Sequence, residues 1–518
     1  MMSENKILKS SLIVISLTVL GKVLALFRDA LVASKFGASN GTDIYMCSIG
    51  IIYLLTTISY GLTTTFIPLH TEKIEKCNKE EKDTFVNNVI TVSTLFTIII
   101  TLITIVFAKY IVLIYVPGFT KDPAVYSKVV FMLRIMMLSL LFINIQSVIT
   151  GVLQSHKKFF APGAMAFSSN VVYIAYLLIF ATKFGIEGFA VATVFAFFVQ
   201  LVINLPQYKL LGYKYKLTLD FKDNSLKKLF ILMIPVIIST SVVQLNLFVD
   251  RFFASQIYAG AVTTLDFANK INTLGYEVIA IAIAMVIYPS LASFAVRKEM
   301  DEYREMLIKA LNFLIMLMIP LAIGMSILSL PLVNVIFRRG AFTNSDAIRT
   351  ASALFFYTPA MVTYGVRDVL NKAFYSMKDT KTPMINSFIG ILINIVLDFI
   401  LIKYMAVAGL ALATTISLVI TTIILIIKLN NKYITINFKS LRIVVIKIIF
   451  AASIMGVFVY FINFTIIKLL GNNMKANLIS IFCSLLVGVS VYFITIILLK
   501  VEELSMVKMI FKKKIQRD

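Results

Sequence analysis

The chain has 518 residues, of which 59% are hydrophobic and only 14% are charged. Soluble domains contain about 45–50% apolar and about 25% charged residues, so this composition excludes a soluble domain and indicates an all-α polytopic membrane protein. The net charge of +23 does not indicate nucleic-acid binding, because lysine and arginine occupy short loops between apolar runs. Three scattered cysteines and two histidines support neither a disulfide framework nor a zinc site.

A membrane-spanning helix needs about 20 predominantly apolar residues. In chain order the sequence predicts fourteen such helices, over residues 8–34, 42–67, 85–115, 125–153, 162–182, 187–206, 226–257, 262–293, 305–337, 346–376, 384–404, 407–429, 441–464 and 477–499. The first run lacks a small-residue cleavage site, which favours a retained helix over a signal peptide.

The positive charges of the loops predict the orientation of the helices. One set of loops is rich in them: Lys73, Lys76, Lys79, Lys82, Lys157, Lys158, Lys209, Lys214, Lys216, Lys222, Arg297, Lys298, Lys378, Lys381, Lys428 and Lys432. The opposite set is nearly bare, with Lys35, Lys121, Lys183, Arg338, Arg339, Lys403, Lys468 and Lys475. An even helix count places both termini on the lysine-rich side, so we expect both to be cytoplasmic, and the basic tail KMIFKKKIQRD agrees.

The first predicted helix carries charges within an apolar run, in the stretch GKVLALFRDALVASKFGASNGTD. Its charged residues include Lys22, Arg28 and Asp29, and Asp43 follows at the start of the second helix. A charge near the bilayer centre costs about 2.5–3.5 kcal/mol on insertion scales, and such residues usually face a cavity or one another. The stretch is therefore a candidate functional site.

An internal repeat relates two halves of the chain at a constant offset of 221 residues. The matching pairs are Asp29 with Asp250, Pro68 with Pro289, Pro162 with Pro383, Gly188 with Gly409 and Thr193 with Thr414. Six helices per repeat give both copies the same entry side, which is the parallel-repeat plan of secondary transporters with a substrate site between the halves. We therefore predict an N-terminal lobe at 1–220, a C-terminal lobe at 221–436, and an appended helix pair with the tail at 437–518.

The second half has its own charged cluster, formed by Asp250, Arg251, Asp266, Lys270 and Glu277. If the charged helices of both halves line their interface, the basic residues converge on one cavity that suits a phosphate or diphosphate. The alternative is that the Arg–Asp neighbours form local pairs at helix ends near the headgroups.

A second constellation comprises Asn394 and Asp398, four residues apart on one helix face, and Thr414 on the next helix. Carboxylate, amide and hydroxyl oxygens suit a hard cation such as sodium, or a proton. The first half has Leu177 in place of Asp398, so the feature belongs to one half. A polar packing cluster is the alternative.

Arg367 and Asp368 lie near the lysine-rich end of the tenth helix, where they either gate the cavity or extend to the membrane interface. The sequence contains no GxxxxGK[ST] motif. Energy would then come from an ion gradient or the membrane potential, unless the process is passive.

Four segments, RDALVASKFGASNGTD, VDRFFAS, AFYSMKDTKTP and INIVLDFIL…AGLALATTIS, together resemble the MurJ (MviN) lipid II flippases of the multidrug/oligosaccharidyl-lipid/polysaccharide exporter superfamily. The resemblance covers nearly the whole chain and implies fourteen helices in two lobes. It also implies that the protein moves the undecaprenyl-diphosphate-linked peptidoglycan precursor, lipid II, to the outer leaflet of the bacterial cytoplasmic membrane by alternating access.

By position, the resemblance implies substrate-binding roles for Lys22, Arg28, Asp29, Asp43 and Lys270, with the two lysines standing where the family usually has arginines. It implies a sodium site from Asp250, Asn394, Asp398, Thr414 and the backbone carbonyl of Leu410. One departure is Thr56-Thr57, where many members carry two arginines in the cavity. Their absence should weaken a diphosphate clamp.

Three other functions stay open. They are a flippase for another polyprenyl-diphosphate glycan, a cation-coupled solute or drug antiporter, and a membrane scaffold for cell-wall synthesis. The expected partners are the lipid-linked substrate, membrane lipids and the cell-wall synthesis machinery, and the chain is expected to act as a monomer without an organic cofactor.

Overall fold

The computed structural model describes residues 4–435 and 438–501. Within these ranges every regular element is helical, with one short 3₁₀-helix at Pro117–Lys121. The α-helices are α1 (Glu4–Phe36), α2 (Asn40–Lys76), α3 (Lys79–Val106), α4 (Ala108–Tyr115), α5 (Pro123–Met137), α6 (Ser139–Ser155), α7 (Phe160–Ile179), α8 (Ala181–Leu210), α9 (Asn224–Ala254), α10 (Ala261–Arg297), α11 (Met300–Ile327), α12 (Ser329–Ile336), α13 (Asn344–Ser376), α14 (Lys381–Lys432), α15 (Phe438–Leu470) and α16 (Met474–Leu498). The predicted all-α class is confirmed, whereas the basic tail at 508–518 lies outside the described residues.

Ten helical stretches among the described residues are long and apolar enough to cross a bilayer. α5 and α6 form one of them, and α14 is a single stretch that contains two predicted spans joined across Ala406. α1, α10 and α13 are outside the ten, and they carry many of the charged residues predicted to face a cavity. Length and composition of the described residues therefore do not confirm the number fourteen.

The chain forms two compact units, Met1–Thr263 with Arg339–Phe342, and Thr264–Arg338 with Thr343–Asp518. In the first unit α2 packs against α6 and α9, and α1 packs against α7. In the second unit α13 packs against α11 and α14, while α15 and α16 pack on each other and on α11. The two compact units are defined by contacts between helices, whereas the two predicted lobes are defined by the sequence repeat. The units therefore do not test the lobe boundaries, which remain a prediction.

The helix boundaries repeat at the offset found in the sequence. α2, α3 and α4 have the same lengths as α10, α11 and α12, and each begins 221 residues before its counterpart. α5 and α6 together span the residues that match α13. The two halves therefore use the same succession of helices and breaks.

Backbone conformations also repeat at this offset. Lys157 and Lys378 both have positive φ, at 58° and 59°, where the chain turns before α7 and α14. Gly185 in α8 and Ala406 in α14 interrupt their helices with φ of 60° and 49°. An alanine strains the backbone at positive φ and a glycine does not, so the repeat keeps this break even where the residue disfavours it.

Both histidines of the chain bind one hydroxyl group in the first unit. The Nε2 atoms of His70 and His156 lie 3.0 and 2.9 Å from the Tyr213 hydroxyl oxygen. Tyr213 is 3% exposed, and its ring stacks on Tyr208 at the end of α8. The segment that follows α8 is thus anchored to α2 and to the end of α6.

We expect this anchor to weaken at acidic pH. Burial, together with the positive charges of Lys82 and Lys158, lowers the pKa of His156 below its ordinary value. In an unfolded chain a histidine imidazole binds a proton near pH 6.5. The unfolded chain therefore holds more protons than the folded chain as the pH falls, and the free energy of unfolding decreases. The apparent Tm should therefore drop between pH 7.5 and 5.5, and drop less in His156→Gln. An equal drop in both proteins would contradict this.

Candidate functional site

Arg28 and Asp29 form an ion pair inside α1. The Nε and Nη2 atoms of Arg28 donate to one carboxylate oxygen, Oδ1 of Asp29, at 3.0 and 2.9 Å. The Asp29 side chain is 6% exposed and the Arg28 side chain 20%. The pair lies about two turns before the helix ends at Phe36, so it is a local pair, as the alternative interpretation expected, but it is not at a helix end.

Aromatic side chains surround the Arg28 guanidinium. Its Cζ atom lies 5.2 Å from the ring centroid of Tyr173 on α7, which is cation–π distance. The hydroxyl of Tyr45 lies 3.2 Å from that of Thr193, and both residues are buried. Neither Tyr45 nor Tyr173 is predictable as a site residue from the sequence, because an aromatic residue in an apolar run gives no signal for a binding site.

Asp43 has a different environment. Its carboxylate accepts hydrogen bonds from the backbone N–H groups of Gly260 and Thr263, both at 2.7 Å, and from the Thr263 hydroxyl at 2.6 Å. The residue is fully buried. Asp43 thus caps residues 260–263 at the start of α10, where a negative charge is favourable. Its substrate-binding role remains a prediction.

A junction of four glycine-containing segments lies in the first unit, next to this cap. The Ala341 N–H donates to the Ser34 carbonyl at 2.8 Å. A Cβ on any of the four glycines would clash with a backbone oxygen of another segment: Gly37 with Ala341, Gly118 with Ser255, Gly260 with Ala38, and Gly340 with Ser34. The segments belong to the loops that are nearly bare of lysine, and only glycine permits this backbone approach.

The other predicted cavity residues lie on α1, α9 and α10. Lys22 is half-buried, and the half-buried Lys270 extends its ammonium to 5.4 Å from the ring of Phe267 on its own helix. Asp250 is 3% exposed and belongs to the first unit. Arg251 lies against Gly50 of α2, where a Cβ would overlap its guanidinium. The convergence of the basic residues on one cavity remains a prediction.

The predicted cation cluster is assembled in the second unit. Asn394 Nδ2 lies 3.4 Å from both Asp398 Oδ1 and Thr414 Oγ1. The Thr414 hydroxyl donates to the Leu410 carbonyl at 3.1 Å. All four residues are buried, so the structure brings together every predicted ligand of the second unit. The donors fit a hard cation, provided that the Asn394 amide turns its oxygen inward.

The first half differs chemically at the matching positions. Tyr173, Leu177, Phe189 and Thr193 stand 221 residues before Asn394, Asp398, Leu410 and Thr414. Two of them are aromatic and pack on each other, with the ring centroids of Tyr173 and Phe189 5.4 Å apart. The Arg28 guanidinium lies over the Tyr173 ring. The first half therefore has an arginine side chain at the position equivalent to the oxygen donors of the second half.

Arg367 and Asp368, the predicted gate, lie on α13. The Nη1 and Nη2 atoms of Arg367 donate to the hydroxyls of Thr421 and Ser387 on α14, at 3.4 and 3.2 Å. The arginine thus links α13 to both arms of α14. A gating role remains a prediction.

The threonine pair that departs from the resemblance bonds within its own helix. The Thr56 and Thr57 hydroxyls donate to the carbonyls of Tyr53 and Leu54, at 2.8 and 2.7 Å. Thr57 also meets the Ser241 hydroxyl of α9 at 3.1 Å. Neither side chain replaces the positive charge of an arginine.

Comparison with known proteins places this chain in a family. The family model described as lipid II flippase MurJ matches residues 32–474. A relative from Buchnera aphidicola (subsp. Schizaphis graminum), named "Probable lipid II flippase MurJ", is 27% identical over 469 residues, with 89% of this chain and 90% of the relative covered. "Lipid II flippase MurJ" of Burkholderia cenocepacia is 25% identical, with 82% and 84% covered.

Solved structures agree with the family model. The structure titled "Lipid II flippase MurJ, inward closed conformation" superposes with a TM-score of 0.80 at 26% identity, covering 93% of this chain and 98% of that one. A multidrug resistance MATE transporter of the MOP superfamily gives a TM-score of 0.67 at 12% identity, over 84% and 99%, which shows a shared fold. This chain is a multi-pass membrane transporter and belongs to the MurJ lipid II flippase family.

Proposed function

We propose that this chain moves lipid II from the inner to the outer leaflet of the bacterial cytoplasmic membrane by alternating access, with both termini cytoplasmic. Membership of the MurJ family supports the substrate. The observation that carries the proposal is Arg28, a half-buried guanidinium inside a membrane helix that its ion pair holds in place. In this proposal Lys22 and Lys270 add positive charge to the cavity, and the chain acts as a monomer beside the cell-wall synthesis machinery.

The geometry of Arg28 suits capture and release of a diphosphate. Both of its hydrogen bonds to Asp29 use Nε and Nη2, and no hydrogen bond from the described residues reaches Nη1. The two N–H groups of Nη1 can therefore bind a phosphate oxygen while Asp29 and the Tyr173 ring fix the guanidinium plane. Asp29 also competes with the substrate for Arg28, which favours release on the far side.

The glycine junction supports alternating access. In the proposed orientation it lies at the outer end, and in this proposal its backbone contacts separate when the outer end opens. Such contacts involve few side chains, so they can separate and re-form without repacking a core. When the outer end opens, the Asp43 carboxylate would either lose its hydrogen bonds to the N–H groups of Gly260 and Thr263 or move together with these residues.

We further propose that the cluster of Asn394, Asp398, Leu410 and Thr414 binds sodium and couples transport to a cation gradient or the membrane potential. One carboxylate with neutral oxygens is a donor set for a hard monovalent cation. Among the described residues no group of three His, Cys, Asp or Glu side chains could hold a metal ion, which sets this cluster apart from a transition-metal site. Arg367 would connect the cluster's helix to α13 as a gate.

A flippase for another polyprenyl-diphosphate glycan is the second candidate. Thr56 and Thr57 stand where many family members carry two arginines, and their hydroxyls donate to the backbone of their own helix. Fewer hydrogen-bond donors are therefore left for a diphosphate and its sugar.

Growth rescue of a bacterium depleted of its own lipid II flippase tests the proposal. We expect the wild-type chain to restore growth and to carry lipid II to the outer leaflet, detected by an externally added enzyme that modifies the precursor. A wild-type chain that inserts into the membrane but does not restore growth would contradict lipid II as the substrate and favour the second candidate. Thr56→Arg/Thr57→Arg is the matched variant for that comparison.

A further inference from the structure

The segment after α8 forms an arch over α3 in the first unit. We define the arch as residues 214–220, a stretch without regular secondary structure whose two ends are fixed to neighbouring residues of α3. The side-chain amide of Asn87 donates to the Lys214 carbonyl at 3.3 Å, and Asn88 exchanges two hydrogen bonds with the Asp220 backbone, at 2.8 and 2.9 Å. Tyr215 is fixed further along α3, with its hydroxyl 3.1 Å from that of Thr91.

The arch covers one side of an apolar groove. The groove has a volume of about 560 Å³ and is lined by the arch together with α3, α6 and α8, with Ile98, Ile145 and Leu205 among its walls. Tyr215, Leu217 and Leu219 of the arch face it. This volume is in the range of small-molecule sites, and the lining suits a hydrocarbon chain.

Charge alternates with apolar residues along the arch. Lys214 and Lys216 alternate with the groove residues Tyr215 and Leu217 along the sequence, and Asp220 follows Leu219. Leu217 and Leu219 are 80% and 55% exposed, which costs free energy in water but not at a membrane surface. The arch thus presents lysines and leucines together, as segments at the headgroup boundary do.

We propose that the arch and its groove form a binding site for an anionic glycerophospholipid, separate from the transport site. One acyl chain lies in the groove between the arch and the side chains of α3, α6 and α8 that line it. The phosphate lies against Lys214 and Lys216, whose charges supply the preference for an anionic headgroup. The bound lipid belongs to the leaflet at the lysine-rich end and covers the exposed leucines of the arch.

Tryptophan fluorescence tests this site directly, because the sequence contains no tryptophan. Leu219→Trp places a single fluorophore at the groove, and the protein is reconstituted with phosphatidylglycerol or phosphatidylcholine that carries brominated, quenching acyl chains. Each lysine near an anionic surface contributes about fivefold in binding. We therefore expect phosphatidylglycerol to quench at several-fold lower mole fraction than phosphatidylcholine, and the preference to fall in Lys214→Gln/Lys216→Gln.

Two controls keep the test specific. Phe482→Trp reports on an exposed position of α16 and should show no preference between the two lipids. Lys468→Gln/Lys475→Gln, a matched pair in the opposite set of loops, should leave the preference at Leu219→Trp unchanged.

Three results would overturn the proposal. Equal quenching by the two lipids at Leu219→Trp would make the groove an unselective lipid contact. An unchanged preference in Lys214→Gln/Lys216→Gln would place the headgroup elsewhere. Relief of quenching by added undecaprenyl diphosphate would assign the groove to the transported lipid, whereas we expect no relief.

Discussion

Arg28→Ala is expected to abolish growth rescue in a flippase-depleted strain. The substitution removes the guanidinium that we propose binds the diphosphate, and Arg28→Lys should restore only part of the activity because an ammonium is a point charge without the planar pair of donors. Rescue, together with exposure of lipid II on the outer leaflet, is the measurement. Lys35→Ala, an exposed position further along α1, is the matched control and should rescue fully.

Loss of folding must be separated from loss of substrate binding in this experiment. Arg28→Ala removes the ion pair that Arg28 makes with the buried Asp29 carboxylate, and breaking a buried ion pair from one side destabilises the folded protein. Arg28→Ala/Asp29→Ala removes both charges and should recover the membrane level of the protein without recovering rescue. Full rescue by this double variant would show that the pair has only a structural role, and the cationic-cavity proposal would fail.

Asp398→Asn is expected to remove the response of the protein to sodium. The carboxylate is fully buried beside Asn394, and the substitution keeps its shape while it removes the charge that a cation requires. A ligand at one hundred times its Kd stabilises the folded state by about 2.7 kcal/mol. The wild type should therefore show a higher Tm in sodium than in an equal concentration of potassium, and the variant should show the same Tm in both.

Asp379→Asn provides the matched carboxylate control in the second unit. Asp379 accepts hydrogen bonds from Lys432 at 2.6 Å and from the Thr382 hydroxyl at 2.7 Å, away from the cluster. Burial by itself raises the pKa of Asp379, but these bonds and one from Tyr433 hold it below its ordinary value. The control should lower Tm and keep the sodium response. A sodium response that survives in Asp398→Asn would identify the cluster as polar packing.

The sequence by itself determined where most of the helices lie, because the length of an apolar run is a local signal. The 221-residue offset, found from a few prolines, glycines and aspartates, reappears in the boundaries of α2, α3 and α4 and in the positive φ of Lys157 and Lys378. The meeting of Asn394 with Asp398 was also predictable, since residues four apart share a helix face.

Only the tertiary structure decided which groups surround these residues. The sequence predicts that Asp43 is important but not that its carboxylate caps residues 260–263, more than 200 positions away. The ring beneath Arg28 comes from Tyr173 on another helix, and the lysine-rich loop after α8 becomes an arch through two asparagines of α3. These contacts depend on helix packing over long sequence separation, for which one sequence carries no local signal.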